Sequence, residues 1–389
     1  MTIQHPFALL DVERDLTQEQ RDIQLATRAF VTDRVKPHIA NWFENAELPI
    51  RELAIELGNI GLLGMHLEGY GCAGSDATSY GLACLELEAG DSGIRSLVSV
   101  QGSLAMFAIY SYGSEEQKQQ WLPAMSAGRA IGCFGLSEAD HGSNPAGMIT
   151  TAKKDGSDWV INGSKMWITN GSVADVAVIW ARTDEGIRGF CVDTTAKGFS
   201  SSAVKHKLSL RASVTSELVF TDLRVPESAL LPKATSLRAP LMCLAEARYG
   251  IIFGAVGAAR DSFETALDYA SQRTQFDGPI TKHQLTQEKF ARMATNLNTS
   301  MLLAMHLGKL KDAGQIRPEQ ISMGKFNNVK GAIEIARECR SILGAAGITT
   351  EYSIFRHMNN LESVLTYEGT HEIHALVIGE ALTGISAFR

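Results

Sequence analysis

The sequence predicts an α+β protein in which a small β-domain separates two helical regions. Apolar residues recur every three or four positions up to about residue 129, as amphipathic helices require. After Pro240 the same helical period returns and continues to the C-terminus. Between these regions the pattern changes to short alternating stretches bounded by Gly, Asp and Ser. We therefore expect an N-terminal helical domain at 1–129, a middle β-domain at 130–240 and a C-terminal helical bundle at 241–389.

Length and composition are those of an ordinary globular protein. The chain has 389 residues, of which 45% are hydrophobic and 20% are charged, so it can bury a large core or form two to three domains. Its net charge of -7 argues against a general nucleic-acid binder. No apolar run approaches the ~20 residues that a membrane helix needs. The first residues resemble neither a signal peptide nor an Arg-rich transit peptide, and we expect a cytoplasmic protein without membrane partners.

The cysteines and histidines do not predict a metal site. The six cysteines are scattered and form no CxxC pair, which favours reduced and mostly buried thiols. His, Cys and carboxylates lack the spacing that is typical of zinc ligands, and no Walker-type glycine loop is present.

The N-terminal region predicts a series of helices. The residues Thr17–Gln20 form a capping-box pattern that opens the first helix, and Pro37 limits it. The glycine-rich stretch 69–74 is a turn and not a phosphate loop, because no predicted strand precedes it. The other predicted helices lie at 50–58, 78–89, 95–112 and 114–128.

The middle region predicts strands, and the last third predicts long helices. The predicted strands lie at 130–136, 149–154, 159–162, 165–168, 174–181, 189–192 and 217–220. The predicted helices that follow lie at 241–274, 284–311, 318–345, 353–360 and 371–383. Helices of nearly thirty residues exceed the usual globular length and indicate a bundle.

The stretch from Thr366 to Ile373 places one carboxylate, Glu368, in the gap between the last two helical patterns. Gly369 lets the backbone pass close to a ligand, and Thr370 suits the N-cap of the last helix. These features alone leave two readings open, a functional acid or an exposed loop carboxylate, and the second is the commoner fate of a Glu.

This stretch resembles the catalytic-base segment of the acyl-CoA dehydrogenases, and the run that continues to Phe388 is similar to the glutaryl-CoA dehydrogenase branch of that family. The resemblance covers essentially the whole chain and agrees with the helical–β–helical layout. It implies FAD-dependent α,β-dehydrogenation of an acyl-CoA thioester, with Glu368 as the base that takes the α-proton. It also implies that Tyr367 and Gly369 contact substrate and that Thr370 and Phe388 contact the cofactor.

Two further segments resemble the flavin signatures of the family. Taken alone, the stretch 134–143 is a surface loop and Trp167 is as readily a core residue. The resemblance implies that the loop donates hydrogen bonds to the isoalloxazine ring, that Trp167 lies against the ring and that Thr169 hydrogen-bonds it. Ser143 is also implied as a contact to the acyl or pantetheine arm of the substrate. The implied flavin contacts are Phe134, Leu136, Ser137, Gly142, Ser143, Trp167, Ile168 and Thr169.

A third group resembles the contacts that reach the FAD of a neighbouring subunit. The planar guanidinium of Arg273 suits a diphosphate, although an Arg at a helix end is also a routine partner of the helix dipole. Asp277 stands where Gly is usual and would bring a negative charge towards the diphosphate. The implied contacts are Arg273, Phe276, Gln284, Leu343 and Gly344, and they imply an oligomer, most simply a homotetramer.

The segment 86–99 is similar to the place where glutaryl-CoA dehydrogenases hold the distal carboxylate of their substrate. Arg95 and Ser99 are four residues apart and face the same way on a helix. A buried Arg without a partner is costly, which predicts an anion to meet it. The alternative is a structural pair of Arg95 with Glu88 or Asp91. The implied substrate contacts on this segment and beyond it are Glu88, Arg95, Ser96, Ser99 and Arg248.

The expected reaction is the oxidation and decarboxylation of glutaryl-CoA to crotonyl-CoA and CO2, with electrons passed to an electron-transfer flavoprotein. Three alternatives stay open. The substrate is another short-chain acyl-CoA or an acyl-carrier protein, or the enzyme is a short-chain acyl-CoA oxidase, or the chain is a flavin-free helical scaffold.

Overall fold

A computed structural model describes residues 5–387 of the chain. Helices occupy both ends of the described chain and a single large sheet occupies the middle, so the α+β class predicted from the sequence is confirmed. Phe388, which the sequence suggested as a cofactor contact, lies outside the described residues.

Seven α-helices make up the first helical region. Thr17 caps the first of them with the predicted capping box, in which the Gln20 N–H donates to Thr17 Oγ1 at 3.2 Å and the Thr17 N–H donates back to Gln20 Oε1 at 3.0 Å. The bounds are α1 Gln18–Phe30, α2 Ile39–Asn45, α3 Ile50–Asn59, α4 Ala77–Gly90, α5 Ser92–Ser99, α6 Phe107–Tyr112 and α7 Glu115–Ser126. The periodicity did not predict α2, and the glycine-rich turn contains a small hairpin of β1 Glu68–Gly69 and β2 Cys72–Ala73.

Helices α5 and α6 are one continuous helical run with a π-helical segment, Val100–Met106, between them. The run begins three residues before the predicted start because Asp91 Oδ1 caps it, accepting the Gly93 N–H at 2.7 Å. π-helical turns are frequent at functional sites. This run carries the residues predicted to bind the substrate carboxylate.

A mixed seven-stranded sheet forms the middle of the chain. Its strands are β3 Gly132–Gly135, β4 Thr151–Asp155, β5 Asp158–Thr169, β6 Val176–Thr183, β7 Gly186–Asp193, β8 Phe199–Ala203 and β9 Thr215–Pro226. The order is β3-β6-β4-β5-β9-β8, with β7 paired to β6; β3 runs parallel to β6. The two strands predicted at 159–162 and 165–168 are a single strand, because Gly163 forms a bulge rather than a turn. The polar β8 was not predicted.

Five long or medium helices and one small hairpin complete the described chain. They are α8 Arg238–Gln272, β10 Thr274–Gln275, β11 Gly278–Pro279, α9 Gln284–Asp312, α10 Pro318–Leu343, α11 Ser353–Thr366 and α12 His371–Thr383. Helix α8 is long and apolar enough to cross a membrane by length and composition alone. Its most apolar window is 67% buried inside the protein, as in the central helix of a bundle.

The N-terminal and C-terminal helices share one hydrophobic core, one face of the sheet has a core of its own, and a third cluster joins the other face to α6, α7 and the start of α8. At the centre lies α4, which is buried on all sides and packs against α1, α8 and α9. Its two acids must be paired at that depth. Glu86 receives two hydrogen bonds of 2.7 Å from Arg260 and two more from Arg28, and Glu88 reaches the functional site.

Candidate active site

Glu368 lies on a tight turn between α11 and α12. The turn is strained at Glu368, which has a φ of 52°, and the φ of 95° at the next residue is one that glycine adopts readily. A Cβ at position 369 would also lie 2.9 Å from the ring of His374, so only glycine fits there. Thr370 caps α12 as predicted, its Oγ1 accepting the Ile373 N–H at 3.3 Å. The segment is therefore a built turn and not a free loop.

The buried Lys325 and the half-buried Arg248 hold three consecutive carbonyl groups of this turn. Lys325 Nζ donates to the carbonyls of Tyr367 and Gly369, the latter at 2.8 Å, and Arg248 Nε donates to the Glu368 carbonyl at 2.7 Å. Because the peptides are trans, the Glu368 N–H points away from Lys325, opposite the Tyr367 carbonyl. Within residues 5–387 neither this N–H nor the buried Glu368 Oε2 has a hydrogen-bond partner, so a donor and a carboxylate oxygen are both available to a ligand.

The charges around Glu368 suit a general base. Burial raises the pKa of Glu368, against the opposing effect of Arg95, Lys325 and Arg248. A carboxylate with a raised pKa is a better proton acceptor near neutral pH than an exposed one. Burial also lowers the pKa of Lys325 to about 7, although the Glu368 carboxylate acts in the opposite direction.

Arg95 already has an anionic partner within the protein. Its Nε donates to Glu88 Oε2 at 2.7 Å, and the exposed fractions of the two side chains are 1% and 0%. Ser92 holds the other Glu88 oxygen at 2.7 Å, and Arg95 also donates to the Tyr367 hydroxyl. The burial of Arg95 therefore does not by itself require an external anion, since Glu88 meets it, and the assignment of Arg95 to a substrate carboxylate stays a prediction.

The second structural pairing considered for Arg95 is not formed. Asp91 is occupied by Arg356 at 2.6 Å and by Asn360 at 2.8 Å, in addition to capping α5. These contacts leave the Asp91 carboxylate without capacity for Arg95, so that alternative is wrong and the Glu88 pair is the one observed.

The surroundings of Tyr367 nevertheless hold more cationic side chains than carboxylates. Three cationic side chains, Arg95, Lys325 and Arg248, surround the two carboxylates Glu88 and Glu368. Two buried hydroxyl groups on α5 lie beside tyrosine hydroxyls, Ser96 beside Tyr367 and Ser99 beside Tyr80. The positive excess, together with these hydroxyl groups as further donors, favours a ligand that carries its own anion.

The structure brings the two predicted flavin segments together at the edge of the sheet. The Met166 N–H donates to the Ser137 carbonyl at 2.9 Å, and the buried Lys165 Nζ binds the Leu136 carbonyl at 3.1 Å and Glu138 at 2.9 Å. A second bulge in β5, between Lys165 and Ile168, interrupts the ladder at Trp167.

These segments fit a flat aromatic cofactor. Trp167 has a φ of 67° and is 59% exposed at the bulge, so a wide aromatic face is open to a ligand. Gly142 has open space where a Cβ would lie, Ser143 is exposed, and Ser137 and Thr169 are half-buried. The side chains of Phe134, Leu136 and Ile168 are buried, so these residues can face the cofactor only through their backbones.

The third predicted group lies at the far end of the helical bundle. Arg273 directly follows α8, and at about 1.5 Å per residue it lies about 37 Å along the helix axis from Arg248. Phe276, at the tip of the β10–β11 hairpin, is 96% exposed, and Gln284 begins α9. Lys289 reaches Ser341 at 3.3 Å, which places the end of α10, with buried Leu343 and exposed Gly344, beside the start of α9.

Within a single chain, this third group of residues therefore lies far from the turn that carries Glu368 (the base turn). The residues of the group do lie close to one another. The negative charge expected at Asp277 is balanced by Lys282, which lies 3.0 Å away. Exposed Arg273 and Phe276 are available to a cofactor or a neighbouring subunit.

The sequence missed Lys325, which contacts the base turn most directly. A signal was present, because Lys325 lies four residues after Ile321 and four before Val329, on the buried face of α10. A lysine on an apolar face is either solvated at its tip or paired. His374, the buried ring below Gly369, was also missed, and nothing in its spacing sets it apart.

Three family models match the chain in order along its length. They are the acyl-CoA dehydrogenase N-terminal domain at residues 17–129, the middle domain at 133–223 and the C-terminal domain at 237–383. The chain belongs to the acyl-CoA dehydrogenase family. The predicted family is thereby confirmed; the domain boundaries at 129/130 and 240/241 stay a prediction.

Several members of the family are similar over most of the chain. Glutaryl-CoA dehydrogenase from Mycobacterium smegmatis is 64% identical with a TM-score of 0.98, covers 100% of both chains, and has also been solved in complex with FADH2. Human mitochondrial short-chain specific acyl-CoA dehydrogenase is 36% identical over 83% of this chain and 80% of its own length.

A third similar structure comes from work on the electron transferring flavoprotein of Acidaminococcus fermentans. It is 32% identical with a TM-score of 0.91, and it covers 95% of this chain and 99% of that one. Together with the three domain matches, these similarities confirm the predicted FAD-dependent acyl-CoA dehydrogenase. Among residues 5–387, no group of three or more His, Cys, Asp or Glu side chains is arranged to hold a metal ion.

Proposed function

We propose that this acyl-CoA dehydrogenase oxidises glutaryl-CoA, a thioester whose acyl chain ends in a carboxylate. The observation that carries this proposal is the positive excess around Tyr367, where three cationic side chains face two carboxylates. A substrate carboxylate would balance that excess. The 64% identity to the glutaryl-CoA dehydrogenase of M. smegmatis supports the same substrate.

Glu368 is the proposed base. Its unpartnered Oε2 takes the proton from the carbon next to the thioester carbonyl. The free Glu368 N–H is on the side of the turn that faces away from Lys325, and it is the donor that we assign to the thioester oxygen. Charge that develops on this oxygen as the proton leaves is stabilised by such a fixed donor. Trp167 and the 136–143 loop would hold FAD, which would supply the acceptor for the hydride lost from the β-carbon.

The distal carboxylate is assigned to Arg95 and the hydroxyls of Ser96 and Ser99. Glu88 occupies only the Nε side of Arg95, and its own charge is shared with Ser92. Arg95 thus stays oriented while the substrate is absent and can accept a second anion, as a guanidinium with five N–H donors allows. The pocket is pre-organised rather than assembled by the substrate.

We propose that decarboxylation follows oxidation of this substrate. Oxidation of glutaryl-CoA gives an enoyl thioester whose carboxylate lies on the carbon next to the double bond. Loss of CO2 leaves its electron pair in a dienolate, which takes one proton to give crotonyl-CoA. Glu368, protonated in the first step, can return that proton, so the substrate loses one hydride and one CO2 overall.

A second candidate is a short-chain monocarboxylic acyl-CoA. The observation in its favour is that Arg95 is already paired with Glu88, so the pocket is stable without a substrate anion. The 36% identity to human short-chain specific acyl-CoA dehydrogenase is consistent with this candidate.

The deciding experiment compares Arg95→Met with wild type on glutaryl-CoA and on butyryl-CoA. Loss of one member of a desolvated charge pair costs about 2–5 kcal/mol, which is roughly 30-fold to several thousand-fold in kcat/KM. We expect that loss on glutaryl-CoA and a much smaller one on butyryl-CoA. Arg337→Met, which alters an exposed arginine on α10, is the matched control. An unchanged ratio of the two kcat/KM values would favour the monocarboxylic substrate.

We also propose that the enzyme is a homotetramer that passes its electrons to an electron-transfer flavoprotein. The assembly is supported by the distance along α8 between Arg248 and Arg273 and by the exposed Phe276. One chain would supply Trp167 and Glu368, and its neighbour would supply Arg273 and Gln284 to the same cofactor. The partner is supported by the similarity to the chain from A. fermentans.

A further inference from the structure

Lys325 is an unusual residue in the middle of α10. It is 2% exposed and lies among apolar and small side chains of the helical core. Moving an ammonium group to that depth is costly unless its hydrogen bonds are replaced. Its Nζ donates to the carbonyls of Tyr367 and Gly369 and lies 5.6 Å from the centroid of the Tyr367 ring. An apolar side chain would fill this place at lower cost, so packing alone does not explain a lysine.

The two carbonyls that Lys325 binds flank the base. One belongs to the peptide unit before Glu368 and the other to the peptide unit after Gly369. With Arg248 on the carbonyl between them, every peptide plane from Tyr367 to Thr370 has its oxygen fixed. In a trans peptide the N–H points opposite to the oxygen. Fixing the Tyr367 oxygen therefore also fixes the direction of the Glu368 N–H.

We infer that Lys325 is a positioning residue for catalysis: it locks the turn so that the Glu368 N–H and carboxylate stay directed at the acyl group. This inference rests on the proposed role of Glu368 as the base. It does not depend on which acyl-CoA is the substrate. The strained φ of 52° at Glu368 is stable only where its surroundings hold it, and two carbonyl contacts from one rigid helix do so.

The same lysine also acts on the charge of the base. Its positive charge lowers the pKa of Glu368, against the effect of burial. Removing the lysine should therefore raise the pH at which Glu368 becomes an active base. The titratable and charged groups that face this turn from the surrounding elements are Glu88 and Cys84 on α4, Arg95 on α5, Arg248 on α8, Tyr367 beside the base and His374 on α12.

The test compares Lys325→Met with Lys330→Met. Lys330 is on the same helix but is exposed and does not contact the turn. In Lys325→Met we expect the rate constant of flavin reduction by acyl-CoA to fall at least tenfold, because small misplacements of catalytic groups have large kinetic effects. We also expect the acid limb of its pH profile to move to higher pH. Flavin content should match that of Lys330→Met.

A readout without turnover is hydrogen exchange in the segment 366–374. The backbone amides of this segment should exchange faster in Lys325→Met than in Lys330→Met, because the turn has lost two of its three carbonyl contacts. If Lys325→Met does not fold, Lys325→Gln takes its place; its amide keeps N–H donors but has no charge, and the same shift of the acid limb is expected.

Two results would overturn the inference. One is a folded Lys325 variant whose rate, acid limb and exchange equal those of Lys330→Met. The other is a loss of activity that only follows a loss of bound flavin. Glu368→Gln separates this failure from failure of the proposed function. If flavin reduction in Glu368→Gln is normal, Glu368 is not the base. If flavin reduction is slow in Glu368→Gln but normal in Lys325→Met, Glu368 remains the proposed base and only the role of Lys325 is wrong.

Discussion

Replacing Glu88 by Gln tests the buried ion pair that organises the acyl pocket. Glu88 and Arg95 are 2.7 Å apart and almost completely buried. Opposite charges about 4 Å apart attract by about 4 kcal/mol at an effective dielectric constant of 20. Breaking a buried pair by removing one partner typically costs about 3–5 kcal/mol, because the remaining charge stays desolvated. Glu88→Gln should therefore be among the most destabilising single changes in the chain.

The assay is thermal melting of the FAD-loaded enzyme at fixed protein and FAD concentrations. The informative sample is the double variant Glu88→Gln/Arg95→Met, which removes both charges and leaves neither unpaired. We expect it to melt at a higher temperature than Glu88→Gln alone. Glu362→Gln, in an exposed pair with Arg337, is the control and should melt with wild type.

The reasoning fails if Glu88→Gln melts with wild type, or if the double variant loses as much as the two single variants together. Either result would mean that the pair is not coupled. Arg95 would then be held chiefly by the hydroxyl of Tyr367.

Three further predictions follow from the described contacts. Glu368→Gln should keep its FAD and reduce it at least about a hundredfold more slowly, and near-normal reduction in a stopped-flow experiment would exclude Glu368 as the base. Burial would raise the pKa of Glu86, but Arg260 and Arg28 outweigh it and hold that pKa at about 2. A carboxylate whose pKa is lower in the folded than in the unfolded state stabilises the fold at pH values above the unfolded-state pKa, and this stabilisation is lost as the pH falls towards the folded-state pKa. The melting temperatures of Glu86→Gln and wild type should therefore differ at pH 7 and converge roughly between pH 4.5 and 2. In analytical ultracentrifugation the enzyme should sediment as a tetramer, and Phe276→Ser should weaken assembly and FAD retention together; a wild-type monomer with stoichiometric FAD would contradict the shared cofactor site.

The helical and strand regions were predictable because each has its own hydrophobic period. The hydrophobic period does not predict the structure at positions where the backbone conformation of one residue decides it. Gly163 reads as a turn in the sequence, but its neighbours continue the same ladder on both sides, so it is a bulge. The short helix α2 was missed because its seven residues give too few repeats of the pattern.

The candidate site was predictable only where a motif carried it. Glu368 and its glycine were found from one short segment, and Arg95 from another. The choice of Glu88 over Asp91 as the partner of Arg95 depends on Arg356, which lies on α11 and is far away in sequence. Lys325 contacts a turn more than forty residues further along the chain. Contacts of this kind are set by tertiary packing, which local spacing does not encode.

The division of the core sets the order in which a newly made chain can fold. The core on one face of the sheet is drawn from residues between Cys133 and Ala229, so that face can pack as soon as this part leaves the ribosome, whereas the other face is completed by the start of α8. The N-terminal helices are made first, but their core is completed by α8 to α11, which are made last. At about 5–20 residues per second, the apolar faces of these early helices wait roughly 10–50 s for their partners. Slow translation of the last third would lengthen that wait, and aggregation of the nascent chain should increase with it.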